Sequence, residues 1–127
     1  MKEQRINASA LFIGSCFALI STSVAFATVG AVMGPLKEAF LLTNLQVGMI
    51  GGIALSGFTL AIIIIGPFVD FFGMKRLLVF SFLCHLIGPL LMIFAGGFTM
   101  LYIGALVIAI GNGTVEAVCN PLVATLY

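Results

Sequence analysis

Charged residues divide this chain into three long apolar blocks. Positions 6–36, 39–69 and 77–115 contain no Asp, Glu, Lys or Arg. A helix rises about 1.5 Å per residue, so about 20 residues cross the hydrocarbon core of a bilayer. The first two blocks each predict one spanning helix. The third is long enough for two, provided the chain reverses in its middle, and Gly96-Gly97 is the pair that weakens a helix there. The predicted spans are 8–33, 45–69, 77–95 and 99–126. Barrel strands would alternate over about ten residues, and the run Ala61-Ile62-Ile63-Ile64-Ile65 does not alternate. The expected class is an all-α integral membrane protein with four transmembrane helices.

Local signals support these boundaries. Thr43-Asn44-Leu45-Gln46 fits a capping box at the start of the second span. Ahead of it, Leu36-Lys37-Glu38-Ala39-Phe40 reads as a short amphipathic piece at the membrane interface. Gly30-x-x-x-Gly34 and Gly48-x-x-x-Gly52 have the spacing that lets helices approach closely, and are expected to be packing positions. No internal repeat or low-complexity linker interrupts the pattern.

Composition agrees. Charged residues make up 7% of the 127 positions against 62% hydrophobic, whereas soluble domains carry about 25% charged residues. The main solvent and partner is therefore the lipid bilayer. A net charge of +1 offers no basic patch for phosphates, so no nucleic-acid partner is implied. Cys16, Cys84 and Cys119 all lie in apolar runs, and their number and spacing suggest neither disulfides nor zinc. No metal site, no cofactor and no enzymatic nucleophile–base pair is indicated. Ala25-Phe26-Ala27 resembles a signal-peptidase site, but Glu3 and the length of the first block favour a retained span. Lys2, Arg5, Lys75 and Arg76 fall on one side of the predicted helices and Lys37 on the other. By the positive-inside rule, the N-terminus is expected to be cytoplasmic in a multi-pass protein of the cell membrane.

Between the second and third spans stands Gly66-Pro67-Phe68-Val69-Asp70-Phe71-Phe72-Gly73-Met74-Lys75-Arg76. Gly66 is expected to permit a close helix crossing. Asp70, four residues on, shares its face and can accept hydrogen bonds from helix N-termini or basic side chains. Gly73 can take the positive φ that ends a helix. Lys75 and Arg76 sit where the helix dipole disfavours cations, so they should face Asp70, lipid phosphates or another element. The block resembles the loop signature Gly-x-x-x-Asp-(Arg/Lys)-x-Gly-(Arg/Lys)-(Arg/Lys) of the major facilitator superfamily. Phe71 and Met74 depart from it and remove part of the usual charge network. The resemblance implies a carrier of about twelve helices in two halves that rock about a central site. In it, Gly66, Asp70, Gly73, Lys75 and Arg76 would form a conformational latch. This chain would then be the N-terminal part of such a carrier, and its partners would include missing helices of the same transporter.

One further charge demands explanation. Glu116 lies in an apolar segment, and Asn112, Glu116 and Asn120 recur at i, i+4 and i+8, a stripe on one helix face. Gly111 and Gly113 are expected to leave room beside it, and Pro121 frees the carbonyl near Ala117. A carboxylate at membrane depth is costly unless paired or protonated, and marks a candidate path for solute or protons. The alternative is a Glu near the interface tied into packing. Gly111-x-Gly113-x-x-Glu116-x-x-x-Asn120-Pro121 resembles the fourth-helix motif of the fucose–proton symporters, which implies sugar recognition by the glutamate. That branch also uses an acid on the first helix, and the first span here has none, so its proton coupling is not implied. His85 is a lone candidate for proton chemistry, set against an ordinary neutral histidine bonded to a neighbouring helix. Ser21, Thr22, Ser23 and Thr28 could line a cavity or bond to their own helix. The leading expectation is a secondary carrier of a small solute, with sugar–proton symport as its specific form and protons as candidate coupling ion. A small dimeric four-helix exporter and a non-transporting assembly subunit are the alternatives.

Overall fold

The Asn7 side chain opens the first helix by accepting from the Ala10 backbone N–H at 3.1 Å, a standard N-cap arrangement. The computed structural model describes residues 7–126. Its regular elements there are all helical: α1 (Ala8–Ala39), α2 (Asn44–Ile65), a 3-10 turn (Gly66–Phe68), α3 (Val69–Phe72), α4 (Met74–Ile93) and α5 (Phe98–Leu126). Four helical stretches among these residues are long and apolar enough to cross a membrane. Lys2 and Arg5, half of the expected basic side, lie outside the described residues.

The end of α1 corrects the sequence reading. The helix does not stop at 33 but runs through Pro35 to Ala39, so the supposed interfacial piece is its last turn. Proline removes one intrahelical bond, but residues 36–40 still close helical turns beyond it, with Phe40 N–H donating to the Leu36 carbonyl at 3.0 Å. Lys37 then lies at the C-terminal end, where the helix dipole favours a cation. Its Nζ donates to Asn44 Oδ1 at 2.7 Å and ties α1 to the start of α2. The capping box is present: Thr43 Oγ1 accepts from Gln46 N–H at 3.2 Å, and Gln46 Oε1 accepts from Thr43 N–H at 2.9 Å.

The helix α5 is the hub. It packs against α2, α4 and α1, whereas α1 and α2 barely touch. Burial follows: α5 is buried along most of its length from Leu101 to Cys119, while α2 buries one stripe of Ile50, Ala54, Gly57 and Ala61, and α4 a stripe of Leu77, Ser81, Cys84 and Gly88. Near the α1–α2 connection, Leu42 and Ile50 pack on Leu101 and Ala105. At the opposite end, Val69 and Leu77 pack on Ala117 and Val118, which anchors the α2–α4 turn to α5.

Glycine sets the closest approaches, but not at the positions expected from spacing. A Cβ on Gly30, Gly34, Gly48 or Gly52 would meet nothing within 4 Å, and Gly66 is equally open. None of them mediates helix packing among the described residues. The close contacts lie instead at Gly57 and Gly113 between α2 and α5, and at Gly88, Gly104 and Gly111 between α4 and α5. Gly111 and Gly113 thus leave no free space beside the polar stripe, because α4 and α2 fill it. Gly48→Ala and Gly52→Ala are therefore expected to leave the thermal midpoint of the purified protein unchanged or to raise stability by up to about 1 kcal/mol each through better helix propensity. Melting curves of the two variants check this.

Candidate functional site

Asn112 is the central residue of α5, which at about 1.5 Å per residue places it near the middle of the bilayer. Glu116 follows one turn later, beside the Ala117 and Val118 that hold the α2–α4 turn. The stripe therefore runs from the membrane centre towards the face carrying that turn.

The three residues of the stripe have different environments. Asn112 is fully buried in the α4–α5 contact, and its Oδ1 lies 2.6 Å from His85 Nε2. Glu116 is half-buried and its Oε2 accepts from Asn120 Nδ2 at 2.9 Å, while Asn120 is exposed. Glu116 and Asn120 are thus joined, and Asn112 is joined to α4. No Lys or Arg forms an ion pair with Glu116 among the described residues, so its recorded hydrogen-bond partner is a neutral amide. A carboxylate held this way has unused acceptor positions, and the Asn120 amide adds a further donor and an acceptor.

Sequence reasoning assigned His85 no partner by number. It belongs to a network: Ser81 Oγ donates to the Gly111 carbonyl at 2.9 Å, and His85 Nδ1 lies 2.8 Å from the Ser81 carbonyl oxygen. The Ser81-x-x-x-His85 spacing on one helix face was a readable signal. Its pairing with Gly111 and Asn112 was not, since that depends on the register of two helices. The hydroxyls of α1 bond to their own helix: Ser21 to Phe17, Thr22 and Ser23 to Leu19, and Thr28 to Val24, at 2.7–3.1 Å. Ser21 also lines a cavity of about 560 Å³ between α1 and α4, which reaches Ser81, His85 and Val115.

The loop residues form no closed network. Asp70, Lys75 and Arg76 are exposed and make no ion pair with one another among the described residues. Gly73 has φ +82° and ψ 132° and separates α3 from α4. No group of three or more His, Cys, Asp or Glu side chains gathers as a metal site among the described residues.

No curated protein and no solved structure matches this chain significantly. The family model described as sugar (and other) transporter matches residues 7–125, which is nearly all of it. With its four apolar helices and the turn between the second and third, the chain belongs to the sugar (and other) transporter family of the major facilitator superfamily.

Proposed function

We propose that this chain supplies part of a secondary carrier that moves a small hydroxyl-rich solute by alternating access. Its specific form would be a sugar–proton symporter, with Glu116 and Asn120 facing the solute path; Asn112, expected there from its spacing, is instead buried against His85 of α4. The observation that carries this reading is Glu116, a half-buried carboxylate on the hub helix whose recorded partner is the neutral Asn120. An unpaired carboxylate within a membrane segment is expensive and is a functional-site hypothesis by default. A solute that donates hydroxyls to it would recover that cost. Family membership favours this reading over the dimeric exporter and the non-transporting subunit.

The α2–α4 turn would act as the latch. Its exposed Asp70, Lys75 and Arg76 are free to engage another part of the carrier as the two halves rock. Lys75 and Arg76 also support a cytoplasmic placement of this turn, and hence of the N-terminus. The likeness of the α5 motif to fucose–proton symporters supports sugar as substrate. Coupling to protons would need a group other than an acid inside α1, whose only acid among the described residues is Glu38 in its last turn.

Uptake of labelled hexoses by proteoliposomes of the full-length carrier tests the reading. Glu116→Gln keeps the size of the side chain and removes its charge, and a hydrogen bond to a charged group contributes about 1.5–3 kcal/mol. Uptake should therefore fall on the order of tenfold or more. Wild-type uptake in Glu116→Gln, with normal protein levels, would remove Glu116 from the solute path.

A further inference from the structure

Near the centre of α4 and α5, a ring and an amide meet in an arrangement that two neutral groups do not satisfy as placed. His85 Nδ1 lies 2.8 Å from the Ser81 carbonyl oxygen. The Ser81 hydroxyl lies 3.3 Å from Nδ1, but its one hydrogen goes to the nearer Gly111 carbonyl at 2.9 Å, which leaves its oxygen as an acceptor on the Nδ1 side. Nδ1 therefore faces acceptors and carries a hydrogen. Nε2 lies 2.6 Å from Asn112 Oδ1, again an acceptor. A neutral imidazole has a single N–H, so a neutral ring would set two lone pairs against each other at Nε2.

Two states resolve this. With the ring protonated, both nitrogens donate, to the Ser81 carbonyl and to Asn112 Oδ1. Asn112 Nδ2 is then a buried donor, and it has no hydrogen-bond partner among the described residues. With the ring neutral, the Asn112 amide turns by half a rotation. Nδ2–H donates to the Nε2 lone pair, and Oδ1 takes the place of Nδ2. Which atom is oxygen and which is nitrogen in such an amide is fixed by its hydrogen bonds, and here those bonds depend on the ring.

We propose that the His85–Asn112 pair is a proton-binding site in the interior of the membrane, in which the charge of the ring and the orientation of the Asn112 amide change together. A proton from the aqueous phase adds to the Nε2 lone pair. No covalent bond in the protein breaks, and the site gains one positive charge. The cavity between α1 and α4 brings open space to the ring, with Ser21, Ala25 and Val115 around it and no charged side chain in its lining. The titratable and charged groups on the elements packed around the ring are Lys75, Arg76 and Cys84 on α4, Tyr102, Glu116 and Cys119 on α5, and Cys16, Lys37 and Glu38 on α1. Glu116 is bonded to Asn120, and no carboxylate contacts the ring among the described residues. The charge would be held by dipoles alone, the Ser81 carbonyl and the Asn112 amide, so the amide must respond to it.

This site does not depend on the role given to Glu116, and its test does not measure transport. His85 is the one histidine among these 127 residues, and in the full-length carrier labelled with ¹⁵N-histidine its ring signals are the pair lost in His85→Gln. The labelled protein, with ¹⁵N-asparagine added, is reconstituted in lipid bilayers and followed by NMR from about pH 5 to 9, the range in which histidines change charge. The expected result is conversion from a ring with two protonated nitrogens to one protonated at Nδ1 alone, with the Asn112 amide signals moving through the same midpoint. In His85→Gln, whose amide can pair with Asn112 but does not titrate, that movement should vanish. A ring that keeps one form across the whole range would overturn the proposal. So would Asn112 signals that do not follow the ring, or that still move in His85→Gln.

Discussion

Gly113→Ala is expected to destabilise the protein by about 3 kcal/mol, the upper end of the usual cost of forcing atoms into a packed interior. The added Cβ would lie 2.5 Å from the Phe58 carbonyl oxygen and 2.7 Å from the Ala61 Cβ, where ordinary carbon–oxygen contacts begin near 3.3 Å. The obstacle is the backbone of α2, held in its own helical hydrogen bonds, so relief requires α2 to move away from α5 as a unit. That movement would also open the contact of Gly57 with Leu106 and Ala109. The same methyl at Gly57 should cost less, because its nearest obstacle is the end of the flexible Leu106 side chain at 2.9 Å. Cys84 and Cys119 are buried and Cys16 only partly so, so a thiol-reactive fluorophore reports unfolding in detergent when Cys16 is replaced by serine. The midpoint for Gly113→Ala should fall by roughly 10 °C, and that for Gly51→Ala, where nothing lies within 4 Å, should not. Equal midpoints for the two variants would mean that α2 does not lie against α5 at Gly113.

Much of the architecture was legible because the bilayer imposes a length on each apolar block. What the blocks do not reveal is which face of each helix looks inward. A soluble helix displays its buried face as an apolar stripe, but a membrane helix is apolar all round. Gly48 and Gly52 therefore looked like packing residues on spacing alone, while α2 in fact turns Ile50, Ala54, Gly57 and Ala61 towards its neighbours. The end of α1 was misplaced because Lys37 and Glu38 marked residues 36–40 as a separate interfacial piece, whereas the helix passes Pro35 and continues to Ala39.

The polar stripe divides in the same way. The spacing of Asn112, Glu116 and Asn120 put them on one helix face, and the bond between Glu116 and Asn120 follows from that spacing. Asn112 takes a different partner because α4 comes close at Gly111, where a Cβ would lie 2.9 Å from both the Cys84 Cβ and the His85 ring. A glycine read as empty space beside the stripe is the reason the ring can reach it. The register between α4 and α5 is a property of the packed pair, and no local pattern within either helix encodes it.

Gly73 gives the second large effect. Its φ of +82° and ψ of 132° lie outside every region open to residues with a Cβ, and holding a side chain there costs on the order of 1–3 kcal/mol. The turn cannot relax cheaply. Gly73 N–H donates to the Val69 carbonyl at 2.9 Å, and its own carbonyl accepts from Arg76 and Leu77 at 3.1 and 3.3 Å. Val69 before it and Leu77 after it both pack on Ala117 and Val118, so changing the angle withdraws one or the other from α5. Gly73→Ala should lower the thermal midpoint, whereas Gly66→Ala, at φ −49° and ψ −53° in open space, should leave it in place. Gly73→Asn makes the test sharper. Asparagine tolerates the left-handed helical region near φ +57°, ψ +47° and often ends helices there, but a ψ of 132° is far from it. Both substitutions should therefore be damaging to a similar degree. If asparagine instead restored the glycine midpoint, the turn would be an ordinary left-handed helix cap, and α4 would leave the membrane surface at a different angle from the one that brings His85 to Asn112.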